Sequence, residues 1–582
     1  MLGPITKASE ELRALVAKAM RDAVAAGDLP ETDKLPDFLI EQPADPKNGD
    51  FATNAAMAGA RTFRRAPAQI AKAVVGHLAL EGTHFERAEI AGPGFINFFM
   101  SKQWFADVVR RVLDEGERYG RTDYGRGETV MVEFVSANPT GPMHMGNARG
   151  GAIGDGLAAA MDWAGYRVSR EFYINDAGNQ IAKFGLSLEA RYLQHYQGEE
   201  AVPFPEDGYH GADITERAEE YIALHGDALL DKSPEERREA LVDYALPKNI
   251  QKMKDDLGRY RIDFDVWFPE STLHESGAVK AVVDELTQRG LTYEKDGAVW
   301  YKNAEVVAKR LRAEGKSEKQ IEALELKDDV LIRANGFPTY FAADIAYHRN
   351  KLVDRGFSKA VNVWGADHHG HVARLKGAMD ALGVGGDRLD IVLMQLVRLT
   401  RGGEPVRMSK RTGNAITLTD LLEEIPIDAA RFFFNMREPG SAFDFDLDLA
   451  VSQTSENPVY YVQYAHARIC SILKNLAAEG ICVGCAAAEQ LLLLTDPAER
   501  ELVRALAQFP EEIVAAAKNY DPARVTHYAV ELANRFHRFY NACRCKCGDD
   551  DLMAARVTLC LAVKQTLENV LSMLQITAPE TM

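Results

Sequence analysis

Apolar residues three and four apart open the chain: Leu12, Leu15, Val16 and Met20 share one face of residues 8–27 and predict a helix there. A turn-rich stretch around Asn48, Gly49 and Asp50 follows, and then a second helical pattern. The apolar run from Arg87 to Met100, interrupted by Gly92-Pro93-Gly94, reads as strand. Residues 1–115 therefore predict a small α+β domain, and the Gly- and charge-rich 116–128 a linker. At Thr129 the grammar changes. Val130-Met131-Val132-Glu133-Phe134-Val135 is a short apolar strand leading through a Gly/Pro loop to a helix near Arg149, a βα unit. Similar strands at Val361 to Trp364 and Ile391 to Leu399, separated by helical segments, predict a doubly wound parallel sheet within 116–456. The charged, mostly helical stretch 180–290 reads as an insertion on that domain. From Asn457 there are four or so long helical patterns, the last from Leu552 to Leu574, so 457–582 reads as an α-helical bundle. The expected class is α/β, with a small α+β domain before the parallel-sheet domain and a bundle after it.

The formal net charge of −18 argues against a protein that coats nucleic acid non-specifically, since such binding is driven by release of counterions from phosphates. Any RNA contact has to come from local basic patches. No run of about 18 uncharged apolar residues occurs, and Met1 to Glu10 lacks the basic-then-apolar layout of a secretory signal, so a cytoplasmic protein with no membrane partner is expected. All seven cysteines lie late, at Cys470, Cys482, Cys485, Cys543, Cys545, Cys547 and Cys560, which fits a reducing compartment. Their C-x-C-x-C spacing has no accompanying histidines at zinc-site intervals, and no protein-bound metal is expected.

Two segments carry chemistry. Ser136-Ala137-Asn138-Pro139-Thr140-Gly141-Pro142-Met143-His144-Met145-Gly146-Asn147 joins the first strand of the sheet to a helix. A phosphate there meets unpaired N–H groups and the positive end of the helix dipole. Gly146 permits close approach, and His144 can donate to a phosphate oxygen. The second is Arg407-Met408-Ser409-Lys410-Arg411-Thr412-Gly413-Asn414, after a hairpin-like Leu396 to Val406 that turns at Gly402-Gly403. A lysine on such a loop suits charge building on a departing pyrophosphate. Gly365-Ala366-Asp367-His368-His369-Gly370-His371 follows a strand of the sheet, where doubly wound folds bind ligands. Its consecutive histidines point in different directions, which disfavours a metal site.

His144-Met145-Gly146-Asn147 resembles the HIGH signature of the class I aminoacyl-tRNA synthetases, with Asn147 in place of the second histidine, and Lys410 falls at the catalytic lysine of a KMSKS-like loop. The arginyl-tRNA synthetases are resembled from end to end. Gly49-Asp50-Phe51-Ala52-Thr53-Asn54 and Ala91-Gly92-Pro93-Gly94-Phe95-Ile96-Asn97 are similar to their amino-terminal domain, and Asn457 to Arg468 to the start of their anticodon domain. Class I lysine enzymes share an HIGN-type signature but not these flanking domains. A nucleotidyltransferase lacking RNA and a non-catalytic RNA-binding relative are rival readings; the long helical tail speaks against the first and the presence of both His144 and Lys410 against the second.

The resemblance implies an ATP-dependent ligase of Rossmann-type catalytic fold that forms arginyl-adenylate and passes arginine to the terminal adenosine of tRNA(Arg), with magnesium accompanying ATP, acting as a monomer. It implies catalytic roles for His144, Asn147 and Lys410. ATP would meet His144, Gly146, Asn147, Gly365, Asp367, His368, Val397, Met408 and Lys410. Arginine would meet Glu133, Ser136, Asn138, His144, Tyr340 and Asp344, the two acids and the ring serving a planar cation. Asn54, Tyr461, Tyr464, His466 and Arg468 would contact tRNA, aromatic and basic groups together suiting unpaired bases. By residue type alone, Glu133 is equally a strand-end acid, Asp344 a helix-surface acid and each tyrosine a core aromatic.

Overall fold

The computed structural model describes residues 2–406, 416–481 and 484–582. Lys410 and Met408 of the second motif, and Cys482, lie outside them. The amino-terminal part combines the helix Pro4–Ala25 with a four-stranded sheet that contains Phe85–Ala91 and Phe95–Met100. These are the strands predicted on either side of Gly92-Pro93-Gly94.

The central sheet has five parallel strands: β1 (Thr129–Glu133), β2 (Arg167–Ile174), β3 (Val266–Pro269), β4 (Lys359–Gly365) and β5 (Leu389–Met394), in the order β5-β4-β1-β2-β3. Strand order reverses beside β1, and the carboxyl ends of β1 and β4 are where a doubly wound sheet takes its ligands. Helix α1 (Met145–Trp163) follows β1 and is buried on nearly every side. Its glycines let it lie on the sheet: a Cβ on Gly154 would stand 2.1 Å from the Phe134 ring. The helix begins at Met145, a turn earlier than Arg149, so His144 occupies its N-cap position.

Two further expectations are corrected. The run Ile391 to Leu399 is two strands, because the chain leaves the central sheet after Met394 and Val397–Arg401 joins a separate three-stranded sheet. The stretch 180–290 is not all insertion: the helices Asn179–Gln197, Ala212–His225 and Pro234–Arg259 form a cluster with its own core, but β3 returns to the central sheet. A small antiparallel sheet, Thr292–Lys295, Ala298–Tyr301 and Asp329–Ile332, then precedes helix α2 (Tyr340–Arg349). The hairpin around Gly402-Gly403 is as expected, Val397–Arg401 pairing with Glu404–Val406.

The carboxyl-terminal part contains the long helices α3 (Pro458–Ala478), α4 (Pro497–Asn519), α5 (Ala523–Ala542) and α6 (Asp550–Met573). It is joined to the rest by buried polar contacts. Tyr119 donates to the Leu506 carbonyl at 2.7 Å, and Arg431, fully buried, holds Asp155 of α1 and donates to the Leu574 carbonyl at 2.7 Å.

Candidate active site and nucleic-acid face

The turn leaving β1 is strained. Val135 and Ser136 both take left-handed backbone angles, φ 69° and 42°, a conformation a β-branched residue rarely adopts. The turn brings the Ser136 hydroxyl back to donate to Glu133 Oε1 at 2.9 Å, while it accepts from Tyr173 N–H at 3.1 Å. Glu133 is only 6% exposed, and its other oxygen is held by Lys351, whose side chain is completely buried. The ammonium also donates to Asn362 Oδ1 at 3.1 Å and lies 4.0 Å from the centre of the Tyr347 ring. A buried carboxylate of this kind is tolerable because it is paired and hydrogen-bonded.

The network continues to α2. Asn362 donates to His348 Nε2 at 2.7 Å, and His348 Nδ1–H donates to the Asp344 carbonyl at the same distance. These bonds fix the neutral tautomer, in keeping with a His348 pKa driven well below the usual range by burial and then by Lys351. The Asp344 side chain meets His371 Nε2 at 3.0 Å and is partly exposed. Tyr340, at the start of α2, is 42% exposed, close to Gly178.

A third acid was not foreseen. Glu270, immediately after β3 and 3% exposed, meets His274 Nε2 at 3.3 Å and lies near the Tyr173 hydroxyl. Burial raises its carboxyl pKa above the ordinary 4.5, and the nearby charge of Asp344 adds to that. The Tyr173 hydroxyl pKa is raised by burial and then by the charges of Glu270, Asp344 and Glu133, so all three acids lie near one ring. Its only sequence signal is the short run Val266-Trp267-Phe268-Pro269 ending in an acid, as β1 does, too short among long helices to read as a strand.

At the mouth of α1, His144 is exposed, and the Asn147 side-chain oxygen accepts the His144 N–H at 3.0 Å, closing the first turn. A Cβ on Gly146 would meet nothing within 4 Å. Met145 N–H donates to the Ile416 carbonyl at 3.0 Å, Leu418 N–H to the Met143 carbonyl at 2.8 Å, and His144 bridges Thr417. The chain that follows the second motif is thus tied to the first. Arg149, one turn into α1, is buried with no carboxylate partner among the described residues. It donates to the carbonyls of Gln395, Ser441 and Glu438, and burial pushes its pKa down to about 10. Those bonds fix the crossover from β5 to Val397, which pairs with Phe443.

Gly365 ends β4, with the exposed Asp367 and His368 just beyond it, and Asn138 is exposed in the loop before α1. Among the described residues no group of three metal-ligating side chains converges, the 368–371 histidines included.

On α3, Tyr460 and Tyr464 stack in parallel at 6.4 Å, and Tyr464 stacks on His537 of α5 at 5.9 Å. Arg468 lies over Tyr540 at 4.2 Å and over Tyr464 at 5.8 Å. The Tyr461 hydroxyl donates to Asn534 at 2.8 Å. His537, overlooked in the sequence, has its pKa pushed down to about 4 by burial and then by Arg468, and its Nε2 is buried with no partner among the described residues. The tRNA contact expected of His466 is not supported: it is fully buried, bonded to the Pro579 carbonyl at 2.8 Å and Glu568 at 3.1 Å, on the inner face of α3. Asn54 accepts the Leu39 N–H at 2.8 Å and so braces its own lobe.

Three family profiles cover most of the chain: an arginyl-tRNA synthetase N-terminal domain at 10–100, a class I (R) tRNA synthetase catalytic domain at 108–445 and a DALR anticodon binding domain at 462–582. The arginine–tRNA ligase of Caldanaerobacter subterraneus subsp. tengcongensis is 54% identical, with 99% of each chain covered. That of Acetivibrio thermocellus is 52% identical over the whole of both. The Thermus thermophilus arginyl-tRNA synthetase structure superposes with a TM-score of 0.71, covering 98% of this chain and 100% of that one; at 22% identity that likeness speaks for fold.

Proposed function

The chain belongs to the class I arginyl-tRNA synthetases, and on that premise we propose which of its residues hold arginine, ATP and tRNA. Its activity is ATP-dependent joining of arginine to tRNA. The arginine carboxylate attacks the α-phosphate of ATP, pyrophosphate leaves, and a hydroxyl of the terminal tRNA adenosine takes the arginyl group.

Asp344 and Glu270 take the guanidinium, with Tyr340 and Tyr173 along its plane. The charge balance favours them: Glu133 already faces a full cation in Lys351, whereas Asp344 and Glu270 face only histidine and tyrosine. Glu133, fixed by Lys351 and Ser136, shapes the floor of the pocket and offers its remaining lone pairs to the substrate. Asn138, a neutral hydrogen-bonding group, meets the amino-acid backbone. ATP, entering as its magnesium complex, meets His144 and Gly146 at the mouth of α1, with Gly365, Asp367, His368 and Val397 around the nucleoside. Lys410 and Met408 reach the phosphates from the second motif. No covalent intermediate on the protein is required, because phosphoryl chemistry of this type depends on positioning and charge. Tyr464, Tyr461, Arg468 and His537 receive unpaired anticodon bases. The chain works as a cytoplasmic monomer; no described helix is long and apolar enough to cross a membrane.

The reading rests on one juxtaposition: His144 and Met145 are bonded to Thr417 and Ile416, so the chain that follows the second motif is tied to the first, at the start of the helix that leaves β1. Arginine-dependent ATP consumption, measured with and without tRNA and repeated on Asp344→Asn, tests it. Arginine turnover unaffected in that variant would remove Asp344 from the pocket.

A further inference from the structure

The cysteine-rich connection between α5 and α6 is the one chemically distinctive stretch that ligation leaves unused. Residues 543–549 cross from one helix to the other, and Asp549 caps α6 by accepting the Leu552 N–H at 3.0 Å. Arg556 of α6 pins the connection. It donates to the Arg544 carbonyl at 2.9 Å and to Glu499 of α4 at 2.7 Å. One helical turn further on, facing the same way, Cys560 is fully buried, and its sulfur lies 3.7 Å from that of Cys545, which is 6% exposed. The other thiols differ. Cys543 is buried with its pKa pushed up to about 12, chiefly by burial, and Cys547 is partly exposed with its S–H on the Asp549 carbonyl at 3.3 Å. The contact with Cys560, and after it the charge of Arg556, lowers the Cys545 thiol pKa from its ordinary value. No third ligand joins the two sulfurs among the described residues, so a metal does not explain the pair.

We propose that Cys545 and Cys560 form a peroxide-responsive pair that closes to a disulfide and tethers the 543–549 connection to α6. The Cys545 sulfur attacks one oxygen of hydrogen peroxide: an S–O bond forms, the O–O bond breaks, and the leaving hydroxide is protonated to water. Cys560 then attacks the Cys545 sulfur. The S–S bond forms, the S–O bond breaks, and a second water leaves with the Cys560 proton. The two thiols lose two electrons and the peroxide gains them.

Closure draws the sulfurs from 3.7 Å to about 2.05 Å, a movement for the connection rather than for the buried helix. The connection begins three residues after Tyr540, the ring beneath Arg468. Tightening it therefore shifts the aromatic face of α3 and α5, and tRNA affinity is the property that changes. This consequence rests on the tRNA reading of that face; the disulfide itself does not.

The test uses the full-length protein, treated with hydrogen peroxide, alkylated, digested and mapped with and without dithiothreitol. A Cys545–Cys560 linked peptide is expected, abolished by the reductant, with free thiols falling by two of the seven. The KM for tRNA should rise by about fivefold or more, with the KM for arginine unchanged and both effects reversed on reduction. Cys560→Ser should charge tRNA as the parent does and show neither change; if it folds poorly, Cys545→Ala replaces it and the mapping of the parent still decides. Oxidation that stops at sulfinic acid on Cys547 or Cys485, or any other pairing, overturns the proposal. A linked peptide with an unmoved tRNA KM overturns its coupling to the tRNA face.

Discussion

At the carboxyl edge of the sheet the proposed recognition groups are acids braced from within the fold: Lys351 on Glu133, with His348 and Asn362 buried behind it, and His274 on Glu270. On the outer face of the bundle they are rings that stack on one another, Tyr460, Tyr464 and His537, with Arg468 laid across them. The pocket has to select one small cation, and a fixed charge in a dry site discriminates strongly because leaving it unpaired is costly. The face has to hold flat, polyanionic strands, for which stacking and a cation suffice. The contrast also reconciles a chain of net charge −18 with an RNA partner: negative charge is used in the pocket and on surfaces away from RNA, and the basic groups are local.

The comparison is broken most severely at Lys351. Lys351→Met leaves Glu133 buried without its cation, and removing one partner of such a pair costs about 3–5 kcal/mol. The urea midpoint of the full chain should fall accordingly and arginine activation should vanish. Stacked rings have no equivalent single point of failure, so a near-normal midpoint would mean that Glu133 is not organised by Lys351.

Asp344→Asn should fold normally and lose one charge-assisted bond of about 1.5–3 kcal/mol, a fall of roughly 10- to 100-fold in kcat/KM for arginine. The KM for tRNA should hold steady. His537→Ala reverses the pattern. Loss of one stacking partner, worth about 1–3 kcal/mol, should raise the KM for tRNA roughly tenfold and leave the KM for arginine unchanged. Equal effects of either variant on both substrates would erase the distinction between the two regions.

Glu270 sharpens the comparison through pH. Its folded pKa lies above 4.5, mainly through burial, so the empty pocket retains the proton over a window beginning there, whereas bound arginine requires the carboxylate. The KM for arginine should therefore rise as pH falls into that window and drop as pH climbs out of it. For stability the sign is opposite: the folded state binds the extra proton, so this group's contribution declines as pH rises through the window. Glu270→Gln should weaken arginine binding severalfold and flatten the pH profile. A profile of unchanged slope in the variant assigns the titration to another group.

How much of this the sequence disclosed follows from where each signal is local. The β1 strand, the loop to His144 and the hairpin at Gly402-Gly403 depend on neighbouring residues, and each was legible. β3 was not, because four apolar residues among long helices carry too little periodicity to register as strand. Lys351 was hidden for a different reason. It follows α2 in a wide π-helical turn, Asn350–Asp354, which breaks the spacing by which an inward residue would be recognised. His466 shares α3 with Tyr464, and helical spacing alone does not say which face meets the carbonyl of Pro579 and which is left to solvent. Charges whose partners lie far along the chain are the part that only the assembled fold supplies.

The smallest expected effect is at Asn147, where the departure from the HIGH signature is most visible. Its amide oxygen is occupied by the His144 N–H, so its first task is to close the helix mouth that presents His144. Asn147→Ala should then cost about 0.5–1 kcal/mol of stability through the lost side-chain bond to the helix mouth, with kcat falling only severalfold as His144 loses its fixed place. Asn147→His restores a donor but not the acceptor of that bond, and should behave like the alanine variant. If instead alanine lowers kcat a hundredfold at an unchanged urea midpoint while histidine restores it, the amide is a ligand of the triphosphate in its own right, and the pocket's reliance on buried support extends to the ATP side of the site as well.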